Sequence, residues 1–186
     1  MPETSGSTNS DTPEAAVGSL MDTLASPDGH VRQIGRRALV AMGKAAVPGL
    51  IEALKDASWI VRWEAAKALS ETGDPRAGAA LVAALSDERF GIQWLAAEGL
   101  IALGRAGLEP ILEALIEDPD SPLLRDGAHH VLRYLADRDF YESIAPVVEA
   151  LESWEPPSII MSSASAALQA LGRETTSGRP AKRHRQ

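Results

Sequence analysis

The sequence predicts an all-α protein, an α-α superhelix of about five helical hairpins stacked into one solenoid. Three observations lead there. Aromatic residues make up only 4 % of the 186 positions, so the core must be aliphatic, and no runs of β-branched or aromatic residues bounded by turns read as strands. A similar segment end recurs five times, at spacings of 30, 31, 32 and 36 residues. Ahead of each end lies a second apolar pattern at i, i+1 and i+4, the mark of one helix face.

Taken in order, the first-helix patterns are Leu20-Met21-Leu24, Leu50-Ile51-Leu54, Leu81-Val82-Leu85, Ile111-Leu112-Leu115 and Val147-Val148-Leu151. The second helices close on Ala38-Leu39 to Gly43, Ala68-Leu69 to Gly73, Gly99-Leu100 to Gly104, Val131-Leu132 to Ala136, and Ala167-Leu168 to Gly172. Gly43, Gly73, Gly104 and Gly172 stand where a helix end turns left-handed, which glycine does without a Cβ clash. Ser121 is placed to cap a helix with Pro122 in its first turn, and Pro48, Pro110 and Pro146 fall near the starts of first helices. On the second helix of the second repeat the wheel assigns Val61, Ala65, Ala68, Leu69 and Thr72 to the core. One hairpin cannot bury its apolar stripe alone, so the five must stack. The fifth is longer, carries Pro156-Pro157 between its helices, and suits a capping role.

This organisation divides the chain into a polar N-terminal tail over 1–13, a repeat domain over 14–172 and a basic tail over 173–186, both tails expected to be disordered. Charge follows the same division. The last fourteen residues hold five basic side chains against one acidic, and the first thirteen hold two acidic ones, so the body carries −10 within a total of −8. A body of that charge repels a phosphate backbone, which leaves nucleic acid only the C-terminal tail to bind. The sequence lacks cysteine, and with it disulfides and thiolate chemistry. Met1 to Glu14 show neither a basic cluster nor an apolar stretch, and no run reaches the roughly 18 apolar residues of a membrane helix, so the expectation is a soluble, cytoplasmic protein.

The stretch Ala46-Val47-Pro48-Gly49-Leu50-Ile51-Glu52-Ala53-Leu54-Lys55-Asp56, followed by Ile60-Val61-Arg62-Trp63-Glu64-Ala65-Ala66-Lys67-Ala68-Leu69, resembles the short HEAT repeats of phycobilin lyases. The likeness spans about 14–172 and is strongest in the second repeat. Tetratricopeptide and ankyrin repeats have similar periods, and their signatures are missing. The family's Arg in the second helix matches Arg32, Arg62 and Arg125, with Gln93 and Met161 in its place in the third and fifth repeats. The resemblance implies a structural role, hydrogen bonding to acidic loop residues such as Asp28, Asp56, Asp87 and Asp120.

Related architectures suggest chemistry that these residues do not support. HEAT-like deoxyhypusine hydroxylases take iron through a His-Glu pair in this helix, where the present chain has Trp63-Glu64, and an indole N–H cannot ligate a metal. The adjacent His129-His130 point about 100° apart, and Arg133 occupies the place four residues after His129, so no metal face forms. HEAT-like glycosylases of alkylated bases use Trp and Asp in a cleft, and Trp63, Trp94 and Asp126 share one repeat position, but the body lacks the basic channel DNA needs. No cofactor and no catalytic residue is expected.

The function expected is that of a non-catalytic adaptor or scaffold that binds a protein partner on its second helices. The alternative is an accessory subunit of a phycobilin lyase or another modifying enzyme. Trp63 lies about 200° around its helix from Val61, and Trp94 about 200° from Ile92, so both are expected to form an exposed stripe. Lys67, Glu98, Asp126, His130 and Arg133 project nearby as a mixed-charge rim.

Overall fold

In a computed structural model of the chain, residues 13–177 are described. They form α1 (Pro13–Thr23), α2 (Gly29–Met42), α3 (Val47–Ala53), α4 (Trp59–Thr72), α5 (Gly78–Ala84), α6 (Phe90–Leu103), α7 (Arg105–Glu117), α8 (Pro122–Leu135), α9 (Tyr141–Glu152) and α10 (Pro157–Ser177). Short 3₁₀ turns occupy Gly43–Ala45 and Pro75–Ala77, and a π-helical turn occupies Ala136–Phe140. No strand occurs among the described residues, and none of their helices is long and apolar enough to cross a membrane.

Local chemistry explains where the second helices begin. Asp28 accepts the His30 N–H at 2.8 Å, and Ser121 accepts the Leu124 N–H at 3.4 Å with Pro122 in the first turn. Asp56 and Asp87 accept the N–H groups of Ser58 and Arg89 at 2.7 and 2.9 Å. Gly43, Gly73 and Gly104 end α2, α4 and α6 with φ of +56°, +60° and +57°, as their spacing predicts. Gly172 does not share this role. It lies inside α10, which continues to Ser177, past the expected boundary at 172, and most of both expected tails falls outside the described residues. Pro110 likewise stands well inside α7, because that helix starts at Arg105 directly after Gly104.

The core follows the predicted register. Val61, Ala65, Ala68 and Leu69 are buried, and Thr72, half-buried at the end of α4, turns its hydroxyl back to the Ala68 carbonyl at 2.9 Å. Second helices pack side by side in the order α2, α4, α6, α8, with first helices on the other side of the layer.

The fifth hairpin departs from that order. Regular stacking would set α9 on α7 and α10 on α8, but α9 packs against α8 and α10 against α7, where Arg105 donates from Nη2 to the Leu171 carbonyl at 2.6 Å. The cause lies at Ala136. The three preceding repeats place glycine here and break the helix left-handed, whereas Ala136 stays in the right-handed region and the chain runs through the π turn into α9. Without the sharp reversal α9 remains on the second-helix side, and α10 returns to cover α7.

Candidate functional site

The second-helix face is held together by a polar ladder that also fixes which of its residues are exposed. Arg32 donates from Nη1 to the Ser26 and Pro27 carbonyls at 2.8 and 3.1 Å, and Arg62 does the same to Asp56 and Ala57 at 2.9 and 3.2 Å. Gln93 reaches the Asp87 carbonyl at 2.6 Å and Arg125 the Pro119 carbonyl at 2.5 Å. The loop partner within each of these repeats is therefore a backbone carbonyl, while the Asp28 side chain caps α2 and those of Asp56 and Asp87 accept from the N–H groups of Ser58 and Arg89 just ahead of α4 and α6. The expected bonding to acidic loop residues is met by Arg62, through the Asp56 carbonyl and the Asp87 carboxylate, whereas the loop partners of Arg32 and Arg125 are the Ser26, Pro27 and Pro119 carbonyls. Carboxylates enter from the next repeat: Arg32 Nε meets Glu64 at 3.2 Å, and Arg62 meets Asp87 at 2.7 Å and Glu88 at 3.1 Å. The Asp87 and Glu88 carboxylates hold the Arg62 guanidinium above its ordinary pKa, against the opposing effect of burial.

Glu64 is the most deeply placed member of the ladder. It is 3 % exposed and also accepts from Arg36 Nη1 at 2.6 Å, closing a buried Arg32–Glu64–Arg36 bridge between the first two repeats. Arg36 in turn lies over the Trp63 ring, 5.8 Å from its centroid, and Lys67 Nζ covers the same ring at 5.7 Å. Trp63 is thus half-buried and packed against the core, and the expectation of an exposed Trp63 is corrected.

Trp94, at the same repeat position, is 48 % exposed. The difference comes from the preceding helix. The position of Arg36 in α2 is filled in α4 by Ala66, too short to reach over the next indole. Trp94 instead gathers a cluster of its own: Phe90, 74 % exposed, with ring centroids 6.4 Å apart, and His130 with centroids 5.1 Å apart. His130 Nε2 lies 4.0 Å from Glu98. Asp126, one helical turn before His130 on α8, is exposed and makes no ion pair among the described residues.

Arg133 belongs to a different group. It pairs with Glu152 of α9 and stands 3.9 Å from Asp137, and His129 Nε2 is 3.4 Å from the same Glu152. Hydrogen bonds from His129 and Arg133 hold the Glu152 carboxyl below its ordinary range. Of the seven residues expected to line the site, the fold brings together Trp94, Glu98 and His130, leaves Asp126 exposed one helical turn before His130, turns Trp63 and Lys67 towards each other, and engages Arg133 with α9. Sequence reasoning missed Phe90. Its signal was there, one helical turn before Trp94 and hence on the same face. Among the described residues no group of three or more His, Asp or Glu side chains is arranged to hold a metal.

A family model described as HEAT repeats matches residues 17–101 and again 47–133, together more than half of the chain. The chain is similar to a solved crystal structure of an engineered protein, a structural-genomics target, with 21 % identity over 88 % of this chain and 85 % of that one and a TM-score of 0.44. No curated protein matches the sequence.

Proposed function

The chain belongs to the HEAT-repeat family, and from that premise we propose that it is a non-catalytic adaptor or scaffold whose protein partner docks on the second-helix face around Trp94. The observation that carries this reading is the exposed Phe90–Trp94 pair, two aromatic rings 6.4 Å apart on the second-helix face. Two large aromatic rings left in water cost apolar hydration that a partner would relieve, and aromatic anchors within a polar rim are the usual anatomy of a binding hot spot. Trp63 is assigned to the scaffold and Trp94 to the partner. The family match is to HEAT repeats in general, so membership of the phycobilin-lyase type remains part of this proposal.

A photo-crosslinking residue placed at Phe90, compared with one at exposed Glu113 on α7, tests the reading in native cells. The expected result is a discrete protein adduct from position 90 alone, lost when Trp94→Ala is added with helicity unchanged. Equal capture from both positions, or an adduct indifferent to Trp94→Ala, would refute it. The identity of the adduct distinguishes an adaptor from an accessory subunit of a modifying enzyme.

A further inference from the structure

We propose that the Trp94 cluster receives a Lys or Arg side chain from a basic segment of the partner, with Glu98 and Asp126 as its counter-charges. This rests on the reading of the second-helix face as the binding surface and specifies what that surface holds. Glu98 lies one helical turn beyond Trp94 on α6, and Asp126 one turn before His130 on α8. Asp126 holds on α8 the repeat position that Trp94 holds on α6, α6 and α8 pack side by side, and the Trp94 and His130 rings are 5.1 Å apart, so both carboxylates belong to the face that carries the indole. The face of an indole attracts a cation, and the neighbouring negative charge adds to that attraction.

The basic side chains around the cluster are already engaged. Lys67 lies over Trp63 and 3.9 Å from Glu71, Arg89 lies over the Trp59 ring at 5.1 Å, and Arg133 is held by Glu152 and Asp137. Among the described residues Asp126 has no cationic partner, and Glu98 pairs with no Lys or Arg. An acidic peptide or a phosphate backbone would meet this negative charge and be repelled, while the −10 body steers basic segments towards the protein.

The test is a calorimetric titration of the full chain with a short, histidine-free arginine-rich peptide and with its counterpart carrying glutamate for arginine. The arginine peptide is expected to bind and the glutamate peptide not. Trp94→Ala, and independently the isosteric pair Glu98→Gln with Asp126→Asn, should each weaken binding about tenfold. Absence of binding, equal binding of the glutamate peptide, or wild-type affinity in both the Trp94 and the carboxylate variants would overturn the proposal. A crosslinked partner retained at position 90 alongside such a result would overturn the cation chemistry while leaving the docking face. Loss of that adduct as well would remove both.

Discussion

Replacing Glu64 with alanine is the sharpest test of how the first two repeats are joined. The carboxylate is 3 % exposed and takes hydrogen bonds from Arg32 Nε at 3.2 Å and Arg36 Nη1 at 2.6 Å. Removing one partner from a buried pair leaves an uncompensated charge, typically a loss of about 3–5 kcal/mol. Here Arg32 keeps its bonds to the Ser26 and Pro27 carbonyls and its side chain is 20 % exposed, so the burden falls on Arg36, which is 8 % exposed and retains only Glu71 at 3.9 Å. The lower end, about 3 kcal/mol, is therefore expected. For a domain of this size that lowers the melting temperature by about 6–12 °C. Thermal and urea denaturation followed by circular dichroism would measure it. Two comparisons separate burial from charge. Glu52→Ala, which breaks the Glu52–Lys55 pair whose side chains are 73 % and 68 % exposed, should stay within about 0.5 kcal/mol. Arg36→Met combined with Glu64→Met should lose less than Glu64→Ala alone, because no buried charge is stranded. A Glu64→Ala loss below about 1 kcal/mol, the scale of an ordinary substitution, would refute the buried-bridge reasoning.

Three further outcomes follow from the backbone and the loops. A Cβ at Gly107 would lie 2.5 Å from the Leu100 carbonyl oxygen, so Gly107→Ala should cost about 1–3 kcal/mol by denaturant titration, whereas Gly18→Ala, with open space around it inside α1, should gain up to about 1 kcal/mol. Trp154 holds φ of +54° at the end of α9, where the Glu155 N–H closes on the Ala150 carbonyl at 3.0 Å, and Trp154→Gly should stabilise the fold by about 1 kcal/mol in the same assay. Asp74 accepts from the side chain and the backbone N–H of Arg76, which brings its pKa down from 3.8 to about 2. A depressed carboxylate stabilises the fold above its unfolded pKa and loses that contribution as pH falls through the folded one. NMR titration of the Asp74 carboxyl should therefore place its midpoint near 2, and Asp74→Asn should flatten the stability profile between about pH 4 and about pH 2.

Much of the fold was legible because its signals are local. The 3.6-residue period located Val61, Ala65, Ala68 and Leu69 in the core, and Gly43, Gly73 and Gly104 marked their helix ends, since a left-handed turn is a property of a single residue. Ala136 carried a signal too: its break in the glycine series is what lets α8 run on and inverts the last hairpin, yet a missing glycine does not say which way the chain goes next. The candidate site was legible in part. The Trp94 and His130 rings meet and Glu98 stands 4.0 Å from His130, as positions one turn apart on packed helices allow.

By itself, then, the sequence determined the helical class, the repeat period and the face each side chain occupies, because these depend on spacing along one helix. Only the tertiary structure decided which of two equivalent tryptophans is open to a partner. That outcome turns on a residue in the neighbouring helix, where Arg36 reaches over Trp63 and Ala66 leaves Trp94 uncovered. It likewise decided that the ladder arginines bond to loop carbonyls and to the following repeat's acids. Whether a side chain reaches its partner depends on the distance between stacked hairpins, and that distance is set by packing rather than by the spacing of residues along the chain.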